Sequence, residues 1–108
     1  MLPFATSMEF VEVAKTSDLP TGRAKVCTIG DRRIALYHIP SGFFATENTC
    51  PHRGGPLGEG DIIASEIVCP WHLWSFEIET GVCVGNPEIR IATHDVRVEG
   101  DRVLVRLT

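Results

Sequence analysis

Apolar and polar residues alternate with a period of two along most of this chain, the spacing of a strand with one face against a core. Phe10-Val11-Glu12-Val13 opens the pattern. Ser17-Asp18-Leu19-Pro20-Thr21-Gly22 interrupts it with turn-forming residues and predicts one helical turn beginning at Ser17. Val26–Ile29 and Ile34–Ile39 flank Gly30-Asp31 and predict a hairpin. Pro40-Ser41-Gly42 marks another turn before the strand-like run Phe43–Thr46. Ile62-Ile63 and Glu66-Ile67-Val68 predict two short strands, and Ser75-Phe76-Glu77-Ile78-Glu79 alternates cleanly up to Thr80-Gly81. The clearest hairpin comes last, with Asp95–Val98 and Arg102–Leu107 on either side of Gly100-Asp101. Short strands with turns at close intervals, and no 3.6-residue stripe, predict an all-β fold.

A length of 108 residues predicts one domain, 1–108, whose core is marginal on its own. There is no internal repeat, low-complexity tract or linker to divide it. Hydrophobic residues at 44% and charged residues at 22% are ordinary for a soluble globular protein. The net charge of −4 and the lack of a basic stripe argue against a nucleic-acid partner. The same charge suits docking on a positively charged protein face. No apolar run approaches the roughly 18–20 residues that span a bilayer. Met1–Ser7 lacks a basic n-region and a long apolar h-region, so it is not read as a secretory signal.

Two segments stand apart from this scaffold: Cys50-Pro51-His52-Arg53-Gly54-Gly55-Pro56-Leu57 and Cys69-Pro70-Trp71-His72. Each offers one thiol and one imidazole close together, and sixteen residues separate His52 from Cys69. Two sulfurs and two nitrogens make a metal site, open to zinc or to a cluster whose two irons take different ligands. Structural zinc sites commonly pair cysteine with cysteine and histidine with histidine, whereas each loop here mixes the two. With Cys50 and Cys69 assigned to metal, Cys27 and Cys83 are left in apolar runs and read as small buried side chains rather than disulfide partners. That usage fits a reducing, cytoplasmic setting.

The two segments resemble the Rieske iron–sulfur family, down to the proline after each cysteine and the Arg-Gly-Gly-Pro-Leu after the first histidine. The resemblance runs from about Phe10 to Leu107. It implies one [2Fe-2S] cluster, with Cys50 and Cys69 on the inner iron and His52 and His72 on the outer one. It also implies the Rieske fold: an antiparallel sandwich or barrel-like base carrying a small cluster-binding subdomain of about residues 47–76. Gly54, Gly55 and Pro56 would bend the first loop so that backbone N–H groups approach the cluster sulfurs. Asn86-Pro87 matches a third loop that covers the cluster. Leu57, Trp71 and Leu73 are expected to frame the histidine edges as an apolar collar for docking, with Trp74 and Phe76 packed beneath the loops. His38 and His94 read as ordinary histidines.

Two departures narrow the resemblance. Respiratory-type members staple their cluster loops with an extra cysteine pair, and the matching positions here are Gly55 and Trp71. Those members also place serine and tyrosine hydroxyls against the sulfurs, where this chain has Trp74 and Phe76. The pattern is similar to that of soluble Rieske ferredoxins and the cluster domains of bacterial oxygenases. The chain has no further two-histidine, one-carboxylate iron triad and no Gly-x-Gly-x-x-Gly fingerprint. The resemblance therefore implies an electron carrier, not an enzyme, taking single electrons from a flavoprotein reductase to a terminal oxygenase. The small subunit of an assimilatory NAD(P)H-dependent nitrite reductase, which shares the fold, is the alternative.

Overall fold

In the computed structural model, residues 9–52, 54–71 and 74–108 are described. Eleven strands fall among them: β1 (Val11–Lys15), β2 (Arg23–Ile29), β3 (Arg32–Ile39), β4 (Gly42–Glu47), β5 (Asp61–Ile63), β6 (Glu66–Val68), β7 (Ser75–Glu77), β8 (Val82–Cys83), β9 (Asn86–Arg90), β10 (Thr93–Glu99) and β11 (Arg102–Arg106). Short 3₁₀ turns cover Thr16–Asp18 and Leu57–Glu59. Six strands form a nearly closed, barrel-like antiparallel sheet in the order β1-β11-β10-β4-β3-β2, and five form a second sheet in the order β5-β6-β7-β8-β9. The all-β expectation holds, and each strand read from alternation is present. Among the described residues no helix is long and apolar enough to cross a membrane.

The predicted hairpins close where the turn residues stand. Ile29 pairs with Arg32 across Gly30-Asp31, and Glu99 pairs with Arg102 across Gly100-Asp101. Two strands were not legible. β8 has only two residues, and β9 begins at Asn86-Pro87 and lacks an alternating apolar face. Tertiary pairing holds both, with Val82 opposite Arg90 and Cys83 opposite Asn86.

β3 organises the interior. Ile34, Ala35, Leu36 and Tyr37 are all fully buried, so beyond the exposed Arg32 and Arg33 this strand has no wet face. Its side chains alternate between two cores. Ile34 and Leu36 join Ala14, Leu19, Cys27, Ala45, Val103 and Val105 inside the barrel. Ala35, Tyr37 and Ile39 face the other way, onto Cys50, Leu57, Ile67, Cys69, Phe76, Cys83 and Ile91. Cys27 and Cys83 are thus buried, unbridged apolar residues, as expected. Tyr37 meets its one polar need through a 2.7 Å hydrogen bond between its hydroxyl and Thr46 Oγ1.

The seam between β4 and β10 is short, with only Thr93 opposite Thr46 and His94 opposite Ala45. A polar network reinforces it. Glu47 Oε2 accepts from Arg32 at 2.6 Å and from His94 Nε2 at 2.7 Å, while the Thr108 N–H donates to His94 Nδ1 at 3.1 Å. An Nδ1 that accepts leaves the ring proton on Nε2, directed at the carboxylate. His94 is therefore a structural histidine; His38, stacked on Phe43 at 3.8 Å with Nδ1 against the Leu19 carbonyl oxygen at 2.7 Å, is another.

Burial pushes the Glu47 carboxyl upward, but the hydrogen bonds from Arg32 and His94 and the Arg32 charge outweigh it and hold the group below its ordinary value of 4.5. A depressed carboxyl pKa stabilises the fold above the unfolded value, and that contribution is lost as pH falls through the folded value. Urea titrations across roughly pH 3 to 6 should show wild type ahead of Glu47→Gln at the upper end, with the gap closing on acidification. A gap that stays constant would show that the carboxylate charge contributes nothing at this seam.

Candidate metal centre

The first motif forms a closed loop leaving the end of β4. Asn48 is buried and holds the loop's base: its backbone oxygen accepts the Leu57 N–H at 2.7 Å and its Oδ1 accepts the Gly58 N–H at 2.8 Å. Thr49 and Pro56 form an isolated antiparallel bridge above it. Inside, the Cys50 N–H donates to the Gly55 oxygen at 2.9 Å and the Gly54 N–H to the Cys50 oxygen at 2.7 Å. This turn requires a φ of +77° at Gly54, a left-handed conformation that glycine adopts without steric cost. The loop thus buries Cys50 while exposing Pro51 and His52.

The second motif closes the β6–β7 hairpin. Val68 and Ser75 form the last ladder pair, and the Cys69 N–H donates to the Trp74 oxygen at 2.7 Å. His72 and Leu73, like Arg53 in the first loop, lie outside the described residues.

The loops meet at sulfur. Cys50 and Cys69 are 1% and 0% exposed, unbridged, and neighbours within one buried core. Gly55 lies directly against this pair: a Cβ there would stand 2.8 Å from Cys69 Sγ and 3.1 Å from Trp71 Cγ. Burial pushes the Cys69 thiol up; the Trp71 backbone N–H opposes this and the Cys50 thiol adds to it. Two adjacent buried sulfurs can both ionise only if a cation compensates them. A thiolate-binding metal supplies that charge and deprotonates its ligands, so the donor set fits an iron–sulfur cluster.

His52 stands at the exposed tip, its ring stacked on the Trp74 indole with centroids 4.1 Å apart and planes 3° apart. Among the described residues no three His, Cys, Asp or Glu side chains converge into one group. The structure thus brings the two sulfurs together and places His52, two residues beyond Cys50, at the surface.

The expected collar needs correction. Leu57 is fully buried within the core that holds both thiols, because the hydrogen bonds to Asn48 draw the Leu57–Glu59 turn inward. Trp71 is half exposed at 51% and remains at the rim. Phe76 is fully buried, as expected, whereas Trp74 combines partial core packing with its stack on His52. Asn86-Pro87 begins β9 rather than a loop. The neighbouring Val84 and Gly85 line an open cavity of about 380 Å³ together with Trp74, Ser75, Cys83 and Asn86. Asn48 escaped the sequence reading, although an Asx residue just before a loop is a known turn device.

Comparison with known proteins agrees with this arrangement. The Rieske [2Fe-2S] domain model matches residues 9–99. The ferredoxin component of the naphthalene 1,2-dioxygenase system of Pseudomonas aeruginosa is 29% identical over 101 residues, covering 93% of this chain and 97% of that one. The ferredoxin of carbazole 1,9a-dioxygenase from Nocardioides aromaticivorans IC177 superposes with a TM-score of 0.84 at 27% identity, covering 92% of this chain and 98% of that one. A protein described as a nitrite reductase NADPH small subunit shares the fold, with a TM-score of 0.78 at 23% identity, covering 91% and 98% of the two chains. With two buried sulfurs presented by paired loops and a family match over most of its length, the chain belongs to the Rieske [2Fe-2S] domain family.

Proposed function

We propose that this protein is a Rieske ferredoxin of the cytoplasm, a single domain that passes electrons from a flavoprotein reductase to a terminal oxygenase. Its cluster is held by Cys50, His52, Cys69 and His72. Bound there, the cluster supplies a reversible one-electron step. The observation that carries this reading is the pair of buried, unbridged thiols side by side in one core, with an exposed imidazole two residues beyond Cys50. Burial of Cys50 and Cys69 keeps water from the sulfurs, while exposure of His52 brings a ligand edge to the surface where a partner can approach. The names of the dioxygenase ferredoxins it resembles support the oxygenase as acceptor. The nitrite reductase alternative rests on shared fold alone.

The purified protein should be red-brown, with about two irons and two labile sulfides per chain, and should mediate reduction of an oxygenase by its reductase. A colourless protein carrying zinc after anaerobic purification would overturn the proposal.

The half-exposed Trp71 indole is the apolar rim residue offered for docking. Trp71→Glu should slow transfer to the oxygenase while leaving the visible spectrum unaltered. Equal rates for variant and wild type would move the docking face elsewhere.

The redox poise follows from the donors near the sulfurs. Reduction adds negative charge, so a hydroxyl bonded to a sulfur favours the reduced form and raises the potential. Phe76, in the same core as both thiols, has none to offer. The potential should fall in the lower part of the Rieske range, which runs from roughly −150 to +300 mV. Phe76→Tyr should raise it where the new hydroxyl reaches sulfur. Voltammetry giving the wild type a value above about +150 mV would refute this account.

A further inference from the structure

A side chain completes the closure of the first motif's loop. Across the base of that loop the backbone bonds to itself, Leu57 N–H to the Asn48 oxygen at 2.7 Å and Cys50 N–H to the Gly55 oxygen at 2.9 Å. Pro56 lies between these rungs and has no N–H to give. The next rung is made by Asn48 Oδ1, which accepts the Gly58 N–H at 2.8 Å. Asn48 and Gly58 are both buried, so bulk water does not stand ready to replace this acceptor. Gly58 is also backed closely from behind. A Cβ there would stand 2.7 Å from Val26 Cγ2 and 2.9 Å from the Lys25 backbone oxygen, so the turn rests directly on β2. Its neighbour Leu57 is fully buried in the core that holds Cys50 and Cys69.

We propose that Asn48 is a positioning residue: its amide oxygen locks the Leu57–Gly58 turn against β2 and thereby holds Cys50 beside Cys69. This rests on the proposed assignment of the two cysteines as ligands and adds a residue that binds no metal itself. The path of contact runs from Oδ1 to Gly58, along the backbone to Leu57, and from Leu57 into the core around both thiols. Removing the acceptor leaves a buried N–H unpaired, and a buried donor without a partner is costly. The turn relieves that cost by lifting toward water, and Leu57 moves with it. The barrel interior is a separate core, built on the alternate residues of β3, and keeps its packing. Loop opening should therefore outrun any loss of global stability.

The experiment compares wild type with Asn48→Asp, which keeps shape and acceptor, and with Asn48→Leu, which keeps bulk alone. Val103→Ala, in the barrel core, is the control that lowers stability away from the loop. Iron release to a chelator and amide exchange across residues 48–58 are read alongside the urea midpoint. Asn48→Leu should release iron about 5- to 100-fold faster than wild type, the range expected when one buried donor is left unpaired. Its loop amides should exchange faster too. Asn48→Asp should stay close to wild type in both readouts, and Val103→Ala should lose urea stability without the faster release. Release from Asn48→Leu equal to wild type would overturn the inference, as would equal acceleration in Asn48→Asp and Asn48→Leu. Release that simply follows the urea midpoint across all variants would also overturn it, leaving Asn48 a contributor to stability alone. A wild-type protein without a cluster would instead overturn the proposed function, while amide exchange would still report on the loop, so the two failures are distinguishable.

Discussion

Cys69→Ser will yield a colourless protein that retains no cluster through purification. Cys69 is fully buried beside Cys50 in one core. A serine hydroxyl there is a poor donor to a soft metal and is far harder to ionise than a thiol. Loss of outer-shell partners already costs about 10–100-fold in metal affinity, and loss of a ligand will cost more. Cys50→Ser should behave alike. Cys27→Ser, altered in the barrel core away from the thiol pair, should stay coloured at a modest cost in stability. Iron and sulfide analysis of the three variants decides the matter. A red-brown Cys69→Ser protein would remove Cys69 from the ligand set.

Gly55→Ala should be nearly as damaging, although it adds one methyl group. That carbon would stand 2.8 Å from Cys69 Sγ and 3.2 Å from Trp71 Cβ, closer than such atoms approach without displacement. Gly55 cannot simply swing away, because its oxygen accepts the Cys50 N–H and the adjacent Pro56 is bridged to Thr49. Overpacking of a well-filled site costs about 1–3 kcal/mol, and here the strain falls on the sulfur of a proposed ligand. The variant should fold with less cluster, released faster to a chelator than in wild type. Gly85→Ala is the control, since a Cβ there meets nothing within 4 Å. Equal cluster content in Gly55→Ala and wild type would mean that the loops separate more readily than their hydrogen bonds imply.

Much of this molecule was legible because its strands alternate and its turns carry glycine beside aspartate, as at Gly30-Asp31 and Gly100-Asp101. The two paired-donor segments stood out because thiols and imidazoles at such short spacing serve few other purposes, and the juxtaposition of Cys50 with Cys69 fits that reading. Local pattern misled where tertiary contacts decide. Leu57 next to a ligand loop read as surface, but the Asn48 hydrogen bonds turn it into the core. β8 and β9 carry almost no periodic signal and exist through pairing with each other and with β7. The stack of Trp74 on His52 joins residues 22 positions apart, and no spacing rule connects an indole on one loop with an imidazole on another.

The double burial of β3 has a consequence for anyone who would transplant the metal loops. Ala35, Tyr37 and Ile39 belong to the wall behind the thiols, while Ile34 and Leu36 belong to the barrel. The boundary between scaffold and cargo therefore runs through the middle of one strand, residue by residue, and no cut in the chain follows it. A graft of the two loops onto a foreign barrel would arrive without its back wall unless alternate positions of the host's corresponding strand were rewritten as well. Portability here is a property of an interleaved surface, not of a segment.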